Sequence, residues 1–294
     1  MDQLVHKAGF VSIIGKPNVG KSTLMNQMVG EKLSIITSKA QTTRHRIMGI
    51  INGDDFQIVY SDTPGILKPE YDLHQSMMRF VNSSLEDADV VLFVADLYEK
   101  MDEELINKMK KVTVPTILIL NKMDLAKGTQ LEDKLNYWKE HISSDEIVTI
   151  SALNGENIDK VFEAIVKKLP IHPPYFPKDQ LTDKPERFFA AEIVREKIFK
   201  NYKKEVPYSC EVVVSEFKEE ENIIRIRAEI YVERKSQRGI IIGNKGEALK
   251  KVGTEARLDM EEFFNKRVFL ETHVKVEPDW RRKDKKLKGF GYSN

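Results

Sequence analysis

The sequence has 294 residues, 41% of them hydrophobic and 32% charged, enough chain for two ordinary domains with separate cores. A single cysteine, Cys210, excludes an intramolecular disulfide framework and reads as a buried strand position, and the six histidines lack metal-ligand spacing. The net charge of +1 hides a division, since residues 1–170 carry −4 and residues 171–294 carry +5, which points to a polyanionic partner for the second half.

The opening Met-Asp-Gln-Leu-Val-His lacks the basic-then-apolar pattern of a signal peptide. No uncharged apolar run approaches the ~18 residues of a membrane span, so a cytoplasmic location is expected. Residues 1–170 alternate short apolar strands with helical patterns, as an α/β domain with a mainly parallel sheet does. Strands are expected at Phe10–Gly15, Ile47–Ile51, Gln57–Ser61, Val90–Ala95, Thr116–Leu120 and Ile147–Ile150, and helices from near Lys21, Leu73, Asp102, Leu131 and Asn157.

The first strand runs into Gly15-Lys16-Pro17-Asn18-Val19-Gly20-Lys21-Ser22-Thr23, which fits the phosphate-loop pattern G-x-x-x-x-G-K-[ST] at every specified position. The glycines let backbone N–H groups approach phosphate oxygens at a positive helix end. Lys21 is expected to reach the β and γ phosphates, and the Ser22 hydroxyl to ligate Mg2+. In the polar stretch 34–46, Gln41-Thr42-Thr43-Arg44 suits a mobile loop from which one threonine closes onto Mg2+, and Thr43 is favoured over Thr42. Asp62-Thr63-Pro64-Gly65 ends the third strand; Asp62 is the candidate Mg2+-side carboxylate, and the Gly65 N–H is placed to sense the γ-phosphate.

Asn121-Lys122-Met123-Asp124 follows the fifth strand. A carboxylate such as Asp124 accepts from guanine N1–H and the N2 amine, a donor pair adenine lacks, and unpaired acceptors are costly. Asn121 is expected to brace the loop and the Lys122 stem to pack on the purine. Ser151-Ala152 follows the sixth strand, where the Ala152 N–H is expected to meet guanine O6.

Four prolines between Pro170 and Pro177 make a stiff, extended connector, placed at 171–184. The second half reads α-β-β-α-α-β: a helix from Glu186 to Tyr202, strands around Cys210–Glu216 and Ile224–Val232, a short Ile-rich helix, a helix over Glu247–Phe264 and a strand over Val268–Val276. Gly243-Asn244-Lys245-Gly246 lies between the last two helices and fits the GXXG loop with which KH domains clamp single-stranded RNA. The domain is expected over 185–280. The basic run from Arg281 onward, 281–294, is either a solvated end or a phosphate-contacting extension.

The phosphate loop, Thr-Thr-Arg, Asp-Thr-Pro-Gly, Asn-Lys-Met-Asp and Ser-Ala, in this order, resemble the translation-factor-related bacterial GTPases of the TrmE-Era-EngA group. Gln-Thr-Thr-Arg-His-Arg and the GXXG domain resemble the Era family of ribosome-assembly GTPases, from about residue 8 to 285. The resemblance implies an α/β P-loop GTPase domain followed by a smaller α+β type II KH domain. It implies GTP/GDP and Mg2+ as cofactors, and 16S rRNA near its 3′ end and the 30S subunit as partners. It further implies a monomer with no DNA partner and with peripheral contact at the inner face of the cell membrane. Where many signalling GTPases carry a water-orienting glutamine, this chain has Ile66, so intrinsic hydrolysis is expected to be slow or to use other groups. In related GTPases the residue matching Asn18 helps hold a K+ ion, which would neutralise charge developing on the phosphates. Two rival readings are an RNA-binding module with a structural nucleotide site and a membrane-associated signalling GTPase.

Overall fold

Strands that are apolar on both faces need helices on both sides, and the middle of the N-terminal sheet follows that rule. The computed structural model describes residues 6–98 and 102–292; most of the N-terminal segment read for a signal pattern, and the last two residues of the basic tail, lie outside that range. Strands β1 (Lys7–Ile14), β2 (Ile47–Asn52), β3 (Phe56–Asp62), β4 (Val90–Asp96), β5 (Thr116–Asn121) and β6 (Glu146–Thr149) form one sheet in the order β2-β3-β1-β4-β5-β6. Every neighbouring pair is parallel except β2 with β3. β4 and β5 are buried along their whole length. Helices α1 (Lys21–Val29), α2 (Asp72–Glu86), α3 (Glu103–Met109), α4 (Gln130–His141) and α5 (Ile158–Lys168) connect the strands.

The parallel register brings the ends of the strands level. Ile13 pairs with Asp62 and Asp96 with Asn121, so the segments leaving β1, β3, β4 and β5 emerge at one edge. That is where ligands bind in open α/β sheets. Beneath this edge, Ile14, Phe93, Leu118, Leu120 and Trp138 are part of one buried apolar cluster.

The chain divides into two compact units. One holds the residues up to 34, 43–68 and 77–183; the other holds 35–42, 69–76 and everything from 184 onward. The proline-rich segment read as a connector is irregular, with a turn at 178–179, and residues 171–183 are grouped with the first unit. Ile171 bridges Lys7 and Thr182 bridges Gly49. The fully buried Gln57 accepts from the Tyr175 and Phe176 N–H groups at 2.7 and 3.0 Å and donates to the Phe176 carbonyl at 2.8 Å. Proline fixes φ in this stretch, but the residues between the prolines keep their N–H groups, and a buried amide needs such partners.

In the second unit, α6 (Glu186–Asn201), β7 (Glu211–Glu219), β8 (Ile223–Val232), α7 (Lys235–Ile242), α8 (Glu247–Phe264) and β9 (Arg267–Val276) reproduce the expected α-β-β-α-α-β order. β7 and β8 are antiparallel, with a bulge between Val214 and Glu216, and β8 and β9 are parallel. Alternation along β8 buries Ile224, Ile226, Ala228, Ile230 and Val232 in a core shared with Ile193, Ile198, Val252 and Met260. Cys210 is fully buried, its thiol donating to the Val206 carbonyl.

Over its described residues the basic tail is folded within the second unit instead of being a solvated end, and Trp280, just ahead of it, is anchored as well. Trp280 is fully buried and donates from Nε1 to the Ser209 carbonyl at 3.0 Å. Helix α9 (Asp284–Gly289) buries Leu287, and the buried Tyr292 hydroxyl donates to Glu211 at 2.6 Å. Lysine-rich composition masks this sparse apolar set. The cations are partly neutralised, with Lys283 and Lys286 paired to Glu277 and Arg281 to Glu233. Among the described residues, no helix is long and apolar enough to cross a membrane.

Trp280→Ala removes a large buried side chain and leaves the Ser209 carbonyl unpaired, so the second unit is expected to lose about 3–5 kcal/mol of stability. Urea unfolding of the variant against the parent measures the loss.

Candidate nucleotide site and GXXG loop

Gly20 caps α1 at φ 102, in the left-handed region that favours glycine. A Cβ there would lie 2.1 Å from Asn121 Nδ2, so glycine is also the only residue that leaves room for that amide. Asn121 is 3% exposed; it donates from Nδ2 to the Val19 carbonyl at 2.8 Å and accepts at Oδ1 from the Ala152 N–H at 2.9 Å. Only one orientation of the amide satisfies both partners. The bracing role expected of Asn121 is therefore explicit. The Ala152 N–H, expected at guanine O6, donates to Asn121 Oδ1 here.

The Lys21 side chain is 6% exposed and lies along the loop, its ammonium donating to the Gly15 and Lys16 carbonyls at 3.1 and 2.8 Å. Lys16 pairs with Asp102 at 3.2 Å. Asn18 is exposed at φ 65, while Val19 is buried and presents its carbonyl to Asn121. Pro17 is packed against Gly65, where a Cβ would lie 2.6 Å from the proline nitrogen. The Ile66 N–H donates to the Gly15 carbonyl at 3.0 Å, and its side chain packs on the apolar cluster. Thr63 is fully buried, its hydroxyl donating to the Ile13 carbonyl at 2.8 Å. Of the residues expected from the sequence at the nucleotide, Thr63 and Ile66 thus use their side chains to hold the loops in place, while Val19 and Pro64 are buried.

Ser22, Thr43 and Asp62 converge. The Ser22 hydroxyl donates to Asp62 Oδ2 at 2.7 Å and lies 2.9 Å from the Thr43 hydroxyl, which is 3.4 Å from the same carboxylate oxygen. The Thr42 hydroxyl instead donates to the Lys39 carbonyl at 2.7 Å. Asp62 is fully buried, and burial pushes its carboxyl above the usual range despite the Ser22 hydrogen bond and the Lys21 charge. Its Oδ1 is buried without a hydrogen-bond partner. Two hydroxyls around an under-compensated carboxylate fit a hard, oxygen-seeking divalent cation. Thr23 lies half-buried in the first turn of α1.

At the base end, Lys122 stands at φ 67 and opens a single helical turn, Met123–Leu125. Asp124 is exposed on that turn, and Ser151 is fully buried. The Lys122 ammonium, whose stem was expected on the purine, is anchored to Asp96 at 2.7 Å. Sequence reasoning missed Asp96, which no motif contains. Its signal is positional: it ends β4 directly beside Asn121 at the end of β5, a pairing visible only once the strand order is known.

In the second unit, Gly243–Gly246 forms the turn between α7 and α8, with Gly243 at φ 73, Lys245 at φ 47 and Gly246 at φ 83. Asn244 and Lys245 are exposed. Ile240, one turn earlier on α7, is 50% exposed beside the loop.

A P-loop sheet carrying Asn-Lys-x-Asp at the end of β5, followed by an α-β-β-α-α-β unit with GXXG between helices, defines a GTPase joined to a KH domain. Residues 10–122 match the family model described as a 50S ribosome-binding GTPase, and residues 205–281 match that of the KH domain. The chain is 48% identical to GTPase Era of Syntrophus aciditrophicus, over 99% of its own length and 96% of the relative's. It is 48% identical to chloroplastic GTPase ERA1 of Zea mays, over 98% and 71%. Two solved structures each have a TM-score of 0.93 and cover 98% of this chain and 100% of their own. One is an Aquifex aeolicus Era variant bound to GDP and aluminium fluoride, at 42% identity; the other is Era in complex with MgGDPNP and nucleotides 1506–1542 of 16S ribosomal RNA, at 43%. The chain belongs to the Era family of GTPases, and its reaction is the hydrolysis of GTP.

Because the folded Asp62 carboxyl titrates above its unfolded value of 3.8, the native state holds the proton more tightly. Its contribution to the stability of the nucleotide-free and metal-free protein therefore falls as pH rises from about 3.8 through the raised pKa. Asp62→Asn is expected to gain stability relative to the parent over that window while losing Mg2+-dependent turnover. Chemical unfolding from acid to neutral pH, beside a GTPase assay, checks both signs.

Proposed function

We propose that this GTPase is a molecular switch that binds 16S rRNA near its 3′ end and assists maturation of the 30S subunit. The observation that carries it is one chain holding both a complete guanine-nucleotide loop set and an exposed GXXG turn, in the family whose solved member is bound to that RNA segment. Lys21 would neutralise the β and γ phosphates, and the Gly15–Thr23 backbone would cradle them. Ser22 and Thr43 would hold Mg2+, with Asp62 beside it, and the Gly65 N–H would sense the γ-phosphate. Bound there, the ion supplies charge neutralisation on the phosphate oxygens. Asp124 would read the guanine edge, and Gly243, Asn244, Lys245 and Gly246 would meet the RNA backbone.

Residues 35–42 support coupling between the two activities. Within the second unit, the Lys39 ammonium donates to the Phe199 and Tyr202 carbonyls at the end of α6. The buried Arg195 donates to the Thr42 carbonyl at 2.5 Å while gripping Glu192. The residue that follows is Thr43, so moving its hydroxyl pulls on a peptide fixed to α6. Nucleotide state would thereby bias RNA affinity. The chain is read as a cytoplasmic monomer that touches the inner face of the membrane only peripherally.

Replacing Asn244 and Lys245 by Asp is expected to weaken binding of a 16S 3′-end RNA by about tenfold or more, because two negative charges face phosphates. GTP turnover should be unchanged. Fluorescence anisotropy in a GTP analogue and in GDP also tests the coupling, and identical RNA dissociation constants would refute it. A K+ site at Asn18 predicts faster turnover in K+ than in Na+; equal steady-state rates would remove it.

A further inference from the structure

The turn that carries Asp124 is held from the side by a strand outside every nucleotide motif. Lys122 occupies the left-handed region at φ 67, a conformation that costs a non-glycine residue and persists only when its surroundings fix it. The Met123 N–H donates to the Ile150 carbonyl at 3.0 Å, which ties the turn to the Ser151 loop. Further restraints come from the end of β4 and the residues after it. Asp96 Oδ2 takes the Lys122 ammonium at 2.7 Å, and Oδ1 accepts the Tyr98 N–H at 2.9 Å. The Tyr98 hydroxyl then donates to the Leu125 carbonyl at 3.1 Å, closing the far end of the turn.

An ordinary surface ion pair contributes little. Asp96 is 9% exposed and has both carboxylate oxygens committed, so replacing it by an amide leaves at least one of the two donors without its acceptor. We propose that Asp96 is a positioning residue for base recognition. It fixes Lys122 at the start of the turn and, through Tyr98, Leu125 at its end, and so aims the Asp124 carboxylate at the purine without touching the nucleotide itself. The inference rests on the guanine reading of Asn121–Asp124.

The test compares the full-length parent with Asp96→Asn, an isosteric change, using GDP and inosine diphosphate, which lacks the N2 amine that Asp124 would read. Asp96→Asn is expected to weaken GDP binding by about tenfold, the usual loss for a hydrogen bond to a charged group. The preference for GDP over inosine diphosphate should shrink with it. The KM for GTP should rise while kcat stays within about twofold, since the phosphate loop is untouched. Asp96→Glu should restore part of the affinity, and Lys122→Met in the Asp96→Asn background should add little. Should Asp96→Asn fail to fold, Tyr98→Phe removes only a hydroxyl from an exposed ring and is expected to speed GDP release about threefold by the loss of one hydrogen bond. Unchanged GDP affinity in these variants overturns the proposal. So do equal losses for GDP and inosine diphosphate with a lower kcat, which mark a general defect of the fold. A parent that does not prefer GDP to ADP would instead overturn the guanine reading on which the proposal stands.

Discussion

One buried amide joins three loops. Asn121 donates to the loop after β1 and accepts from the loop after β6, while itself ending β5. Phosphate binding and base recognition therefore share a common brace. The brace requires a glycine at position 20, since the amide occupies the space a Cβ would need. Buried polar groups are costly when unpaired and specific when satisfied. Here that cost locks the two ends of the nucleotide site to each other.

The parallel sheet makes this convergence possible. Residues far apart in sequence meet because each strand delivers its following loop to the same edge. Close packing does the rest: Pro17 against Gly65, Ile66 N–H on Gly15, and the Thr63 hydroxyl on Ile13. Several motif residues thus act on their neighbours in the fold. In that light Ile66 is a core anchor standing where other GTPases place a polar catalytic group. Asp62 is the counterpart, a charge held in the interior with one oxygen unpartnered.

The second unit is built on different terms. Its core follows from alternation along β8 and from the apolar faces of α6 and α8, leaving the GXXG turn exposed. Two short segments from the N-terminal half, 35–42 and 69–76, are grouped with it. Lys39 and Arg195 hold the first on α6, and Arg281 lies 4.9 Å from the ring of Tyr71 in the second. Basic residues of the tail, which the sequence left as either a solvated end or a phosphate-contacting extension, are in part paired with Glu233 and Glu277.

Local pattern was enough for much of this protein. Apolar runs located the six strands of the first sheet, and alternation located β8, because burial on two faces or one leaves a period in the sequence. The phosphate loop, Asn-Lys-Met-Asp and GXXG were legible because their chemistry depends on residue types at fixed short spacing. Tertiary structure decided what depends on pairing across distance. It favoured Thr43 over Thr42 beside Ser22, committed the Ala152 N–H to Asn121, and brought Asp96 to Lys122. It also buried Trp280 at the end of the domain, and Leu287 and Tyr292 in a tail whose lysines hide its apolar residues. Those outcomes turn on strand order, loop closure and the satisfaction of buried polar atoms, none of which is encoded in the spacing of neighbours along the chain.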